Sequence, residues 1–365
     1  MRLVIATPLY PPEIGGPATY AKLLSLGLPE KGITIELVKF SDVRHLPKVI
    51  RHYVYYRRVL KVARSADVVL ALDPVSVGLP ALRAAQKAKK PFIVKIVGDY
   101  AWEQGRQRFG ISQTLDEFSQ SKQVPFLVRV LRRVQTYVAQ NAMRIITPSI
   151  YLKDVVVAWG VPREKIEVIY NAVLLEEMGT IPDDVAHLPR PLIVTAGRMV
   201  PWKHTDTIID AVALLREKQS QTSLAIVGEG PEYMRVTKYA KQKLGNGYVF
   251  THALSHSDTL VVMKSADVFV LNSSYEGLSH LLIEALTLEV PIVATRVGGN
   301  PEVITDDKDG LLVPVGDTKA LVNALTRVLS GDELRTRLSA CARESARRFS
   351  VETMLRETAT VLFHI

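Results

Sequence analysis

The chain has 365 residues, 47% of them hydrophobic and 23% charged, the make-up of a soluble globular protein long enough for two domains. No apolar run approaches the length that crosses a bilayer, and the single cysteine, Cys341, excludes a disulfide framework and a cysteine-rich metal site. The net charge of +9 is uneven: residues 1–172 carry 26 Lys and Arg against 13 Asp and Glu, whereas residues 173–365 carry 20 against 24, so the first half is expected to meet an anionic surface or substrate.

The opening segment, Met1–Pro8, is too short and too soon interrupted for a secretion signal and reads as a buried strand. Cytoplasmic residence is the expectation, peripheral to the inner membrane face if the basic half meets lipid. Apolar runs at Leu3–Ala6, Ile35–Phe40, Val68–Ala71, Phe92–Val97 and Arg144–Thr147 alternate with helical stretches such as Tyr20–Leu28 and Leu127–Ala142. Continuous apolar strands joined by helices imply a parallel sheet covered on both faces. In such sheets ligands bind at the carboxyl ends of the strands, so the loops there are the places to look.

After the first strand, Gly15 and Gly16 precede a helix and let the backbone approach a ligand closely. No Gly-Lys-Ser/Thr follows, so this is not a P-loop, and a plain glycine turn accounts for the pair equally well. From Arg44 to Arg64 there are seven Lys and Arg, three Tyr and no acid. Val49, Tyr53, Tyr56, Leu60 and Ala63 fall on one helical stripe, flanked by Lys48, Arg51, Arg58 and Lys61. An ordinary packed helix with a basic outer face is one reading, and contact of residues 44–64 with an anionic membrane or lipid diphosphate is the other. Nucleic acid is disfavoured, because no RNP-type, zinc-finger or helix-turn-helix signature accompanies the charge. The run Phe92–Val97 ends near Asp99 and Glu103; a carboxylate at a strand end serves as a general base or orients a hydroxyl, or Asp99 simply caps the next helix.

Residues 172–191, rich in Pro and acids, read as a linker, after which a second series begins: Leu192–Ala196, Ser223–Val227, Tyr248–Phe250, Val268–Leu271, Pro291–Thr295 and Gly310–Val313. Two doubly wound α/β domains in tandem are expected, at 1–172 and 173–349. The final helix, Val351–Phe363 within 350–365, is expected to pack back on the first domain. In the second domain, Gly197 leads to Arg198 and Lys203, one forked and one compact cation that suit a diphosphate. Gly228 opens a further strand-end loop, and Gly298–Glu302 opens a helix. Glu276 and Glu284 stand eight residues apart after Val268–Leu271, so on one helix both carboxylates face the same side, with Glu276 and Gly277 at its N-terminus beside an anion. That pairing suits a ligand both hydroxyl-rich and phosphorylated; two solvated acids on an amphipathic helix is the plain alternative. Asp307 and Asp309 formally match a DxD metal pattern but read as a turn, and His252, His256 and His280 lack ligand spacing, so no metal is expected.

Pro8–Pro17, Ile166–Val173, Gly197–His204, Gly228–Glu232, Asn272–Leu286 and Val290–Ile304 together resemble the large family 4 of retaining, nucleotide-sugar-dependent glycosyltransferases. The E-x7-E spacing of Glu276 and Glu284 with the Gly197–Lys203 loop is its most specific element. The resemblance implies the GT-B fold, two Rossmann-like domains facing a central cleft, and a metal-independent hexosyl transfer with a nucleoside-diphosphate sugar as co-substrate. It implies that Glu284 binds the ribose, that Glu276 lies by the donor sugar, and that backbone amides from Gly277 through Leu278 and Ser279 to His280 face sugar and phosphate. Arg198 and Lys203 would neutralise the leaving diphosphate, Gly16 would contact it from the first domain, and Asp99 or Glu103 would meet a glycan or lipid-linked acceptor. Ser279-His280 and Asn171-Ala172-Val173 depart from the commoner residues of the family. A GT-B epimerase or hydrolase and a non-catalytic anion-binding protein are the competing readings.

Overall fold

A computed structural model describes residues 1–13, 15–121, 123–174, 177–217 and 221–365. Ile14 of the glycine loop and residues 175–176 of the expected linker lie outside them. The chain divides into two units, Met1–Ala172 with Val351–Ile365, and Val173–Ser350. Residues 177–191 are no free tether, since Gly179 and Thr180 donate backbone hydrogen bonds to Ser257 and Asp258 of the second unit.

The first unit's sheet contains β1 (Arg2–Thr7), β2 (Thr34–Lys39), β3 (Val68–Ala71), β4 (Phe92–Lys95), β5 (Arg144–Thr147) and β6 (Ile166–Val168), all parallel, in the order β2-β1-β3-β4-β5-β6. The second contains β7 (Leu192–Ala196), β8 (Ser223–Val227), β9 (Tyr248–Phe250), β10 (Val268–Leu271), β11 (Ile292–Thr295) and β12 (Leu311–Val313), also parallel, in the order β12-β11-β10-β7-β8-β9. Each order reverses once, between β1 and β3 and between β7 and β10. Crevices for ligands open at the carboxyl ends of strands where the order reverses. β6 is absent from the sequence expectation: three residues with Glu167 at the centre, on the sheet edge, leave no periodic signal.

Alternation along β1 builds two cores. Val4 and Ala6 pack with Tyr55, Val59 and Ala63 of α2 (Lys48–Ala63) and with Ala81 of α3 (Gly78–Ala88). Leu3 and Ile5 pack with Tyr20 and Leu24 of α1 (Gly16–Gly27) and with α8 (Val351–Phe363), which follows α4 (Tyr100–Arg108), α5 (Phe126–Gln140), α6 (His256–Lys264) and α7 (His280–Thr287) in the chain. The last helix therefore completes the first unit's core. Met354, Leu355 and Leu362 are buried there, each contributing roughly 1.5–3 kcal/mol. The expected stripe on α2 holds in its second half, where Leu60 and Ala63 are buried and Tyr56 packs on the core, and fails in its first. Val49 and Tyr53 are 84% and 58% exposed, and the packed face is Tyr55, Val59, Leu60 and Ala63. The helix carries apolar residues on two faces, and the sheet takes the one whose tyrosine hydroxyl donates to the Val38 carbonyl (2.9 Å).

Lys95 ends β4 inside the second of these cores. It is 1% exposed, its ammonium lies 3.6 Å from the Tyr20 ring centroid, and among the described residues no acceptor meets its Nζ. Burial holds its pKa well below the ordinary lysine value. A desolvated cation–π contact is worth about 2 kcal/mol, less than the several kcal/mol of stripping an ammonium of water. Lys95→Met is therefore expected to stabilise the fold by about 1–3 kcal/mol at pH 7. The sign with pH follows: the unfolded chain binds the extra proton, so the wild type gains stability as pH rises towards 10.4 while the variant does not. The variant's advantage in urea unfolding should shrink between pH 7 and pH 9.5.

Candidate active site

In the second unit the loops after β7 and β10 meet at the reversal point. Ser274 donates its backbone N–H to the Trp202 carbonyl (2.8 Å), and the Asn272 amide donates to the His204 carbonyl (3.3 Å). This stitching brings Lys203 against Glu276: Nζ to Oε1 is 2.6 Å, and the Ser273 hydroxyl donates to the same oxygen at 2.6 Å. The side chains are only 17% and 13% exposed, so water screens the pair little. Arg198 is exposed one residue beyond Gly197, with no ion pair among the described residues. The result is a partly buried carboxylate–ammonium pair with a free guanidinium nearby in the chain, at a strand-end crevice.

Glycines let the backbones close. A Cβ on Gly228, whose φ is +126°, would lie 2.2 Å from the Gly197 carbonyl oxygen, and the Gly197 N–H reaches the Val227 carbonyl at 2.9 Å. A Cβ on Gly298, at φ +53°, would lie 2.0 Å from the carbonyl oxygen of Glu276, and Gly299 N–H bonds that same oxygen at 3.0 Å. Neither contact survives a side chain.

The helix expected to start at Glu276 starts later. Ser279 caps it, accepting from Leu282 N–H, and α7 begins at His280. Glu276 with Gly277 and Leu278 forms the approach loop, so the eight-residue spacing to Glu284 is not two helical turns. The reason is local: Glu276 is drawn to Lys203 and Ser273, and the capping hydroxyl lies three residues further on. Glu284, on α7 and 7% exposed, accepts from His256 Nε2 at the start of α6 (3.0 Å). Twenty-eight residues separate that pair, and no spacing rule reveals it. Asp307 pairs with Arg327 and Arg337, and the buried Asp309 accepts from Thr305 N–H (2.7 Å); the DxD pattern is a turn. Among the described residues no group of three or more His, Cys, Asp or Glu could hold a metal.

In the first unit, Gly15 (φ +146°) is the N-cap of α1 and Gly16 its first residue, at the carboxyl end of β1. Arg44, though exposed, pairs with Glu13 (2.5 Å) and bonds the Pro8 carbonyl, clamping that loop. Asp99 is 2% exposed and accepts from Trp102 N–H (2.9 Å) as the N-cap of α4, so the capping reading is the one its geometry displays. Burial pushes its carboxyl up, with the Trp102 N–H opposing. The sequence reading missed Asp73. Its carboxylate follows β3 at the reversal point and accepts from Val75 N–H (2.8 Å) and Ser76 N–H. The Tyr100 hydroxyl faces Ser76 and Asp73, and His52 faces the Ser76 backbone. Asp73-Pro74 directly after an apolar run was the available signal.

Two family models match the chain, "Glycosyl transferase 4-like domain" over residues 4–172 and "Glycosyl transferases group 1" over residues 181–345. The fold is shared at full length with solved structures. One is Anabaena HepE in complex with UDP and glucose (TM-score 0.77, 18% identity, all of both chains); another is sucrose-phosphate synthase from Thermosynechococcus elongatus (0.78, 17%, 100% of this chain and 98% of that one). Fold and matched models define a GT-B protein. The chain belongs to the family 4-like glycosyltransferases. Among curated relatives it is 32% identical over 149 residues to a lipopolysaccharide core biosynthesis glycosyltransferase of Rhizobium meliloti, covering 41% of this chain and 42% of that one. It is 35% identical over 150 residues to a GDP-mannose-dependent phosphatidylinositol monomannoside mannosyltransferase of Mycolicibacterium smegmatis, covering 39% of each. The chain thus spans about two fifths of the length of these relatives.

Proposed function

We propose that the protein transfers a hexose-type sugar from a nucleoside-diphosphate sugar to a hydroxyl acceptor, with retention at the anomeric carbon and without a metal. The observation that carries this reading is the Lys203–Glu276 pair at the reversal point of the second sheet. Bond cleavage at the anomeric carbon leaves negative charge on the diphosphate and positive character on the sugar. Lys203 and Arg198 supply the first with cations, and the Glu276 carboxylate is the group suited to stabilise the second. Glu284, oriented by His256, accepts from vicinal hydroxyls such as those of ribose. The acceptor hydroxyl attacks from the face the diphosphate leaves, and a departing phosphate oxygen takes its proton. Asp73, Ser76 and Tyr100, with Asp99 holding the start of α4, suit the first unit's reversal point to a hydroxyl-bearing acceptor.

A thermal-shift series with UDP-, GDP- and ADP-sugars tests the donor half, since a ligand of the folded state raises its melting point by mass action. One base should give a shift that Glu284→Gln diminishes. Donor consumed at full rate without acceptor would favour an epimerase or hydrolase instead; no shift with any of them would sink the assignment.

A further inference from the structure

We propose that the first unit carries a groove for the apolar chain of a lipid acceptor whose anionic head is met by Arg83 and Lys87. This rests on the transferase reading for the word acceptor, though not for the binding itself. The groove, about 920 Å³, lies on the outer helical layer, with Tyr56 of α2, Leu79 and Pro80 of α3 and Val134 of α5 forming much of its lining. Val49 and His52 line it from α2, and Val75, in the loop after β3, brings it to the reversal point beside Ser76. Its volume is that of a small-molecule site and its lining is mainly apolar, but it is a shallow groove open to solvent along much of its length rather than an enclosed cavity.

Two further observations select the occupant. Outside the groove, Leu127, Val130 and Tyr137 lie on the same helical face of α5 as Val134, which lines it, and are 55%, 37% and 37% exposed. Val49, which lines the groove from α2, is 84% exposed. Water-exposed apolar side chains in a continuous stripe call for an apolar ligand longer than the groove itself. The charge is of one sign. Arg83 and Lys87 line the groove with no ion pair among the described residues, the Arg83 guanidinium stacks on Tyr137 (5.4 Å), and no acid lies between Arg44 and Arg64. A long alkyl or isoprenyl chain ending in phosphate complements both features, whereas a neutral lipid or a peptide answers only one.

Calorimetric titration with octyl, decyl and dodecyl phosphate, below their micelle-forming concentrations, tests this without any donor. One-to-one binding is expected to tighten several-fold with each pair of carbons, with inorganic phosphate not binding at matched concentrations. Leu79→Trp and Val134→Trp fill the groove and should weaken decyl phosphate at least tenfold. A circular-dichroism melt confirms that each variant is folded. Arg83→Gln with Lys87→Gln should weaken decyl phosphate but not decyl glucoside. Affinity independent of chain length, or undiminished in the filled variants, overturns the proposal. So do filled variants that bind phosphatidylglycerol vesicles and decyl phosphate as the wild type does, which would mark a bilayer contact. Transfer is scored separately with donor and a water-soluble acceptor: its absence sinks the transferase reading and leaves the groove to its own binding data.

Discussion

Lys203→Ala should lower transfer by about 100- to 1,000-fold while the protein stays folded. Removing one preorganised donor from a site of developing negative charge has that order of effect. The position of Lys203 makes substitution hard to bypass, because its Nζ lies 3.9 Å from where a Gly197 Cβ would stand and is held by Glu276 at 2.6 Å. Lys203→Arg is expected to recover little, as a planar fork does not fit a pocket shaped for a compact ammonium. Glu276→Gln should cost a similar factor. The double variant should be no more than about tenfold worse than the poorer single, since the two side chains act as one unit. Initial rates of nucleoside-diphosphate release, with the donor identified by thermal shift, supply the numbers. A Lys203→Ala enzyme within tenfold of the wild type would remove the cation from the mechanism.

Gly298→Ala should unsettle the second unit and the chemistry together. The left-handed backbone at φ +53° alone costs about 1–2 kcal/mol for a residue with a Cβ. Here the Cβ would also stand 2.0 Å from the Glu276 carbonyl, a backbone atom that cannot rotate aside. Together these predict a loss of about 3–4 kcal/mol, a melting point lower by roughly 6–16 °C, and turnover reduced because the carboxylate beside Lys203 is displaced. Gly316→Ala separates the two causes. Its φ is +77° but no atom lies within 4 Å of the added carbon, so it should lose only the conformational part and keep its activity. Equal losses in the two variants would show that collision with Glu276 is not what matters.

The apolar runs betray nearly every strand, because a parallel sheet covered on both faces leaves no polar alternation to blur them. Only β6, three residues long with a glutamate at its centre, escapes. The strand-end rule also puts Gly15, Gly197, Arg198, Lys203 and Glu276 in loops that follow β1, β7 and β10, which is where the structure has them. What fails are statements needing three dimensions. A spacing of eight suggested one helix for Glu276 and Glu284, yet a serine cap and an ion pair to a residue 73 positions away decide where that helix begins. On α2, two apolar faces compete, and a hydrogen bond from Tyr55 across to β2 chooses between them. His256 against Glu284 and Arg44 against Glu13 are partners of the same kind, joined by folding across gaps that no local pattern spans.

The return of α8 to the first unit has a bearing on how the molecule is made. A ribosome finishes residues 1–172 long before Val351–Phe363 emerges, and the 178 residues between occupy about 10–40 s of synthesis. Through that interval Leu3, Ile5 and Leu24 lack the cover of Met354, Leu355 and Leu362. The first half born is therefore the last to close. A chain cut short after Ser350 should leave its earlier unit, not its later one, sticky and prone to capture by chaperones.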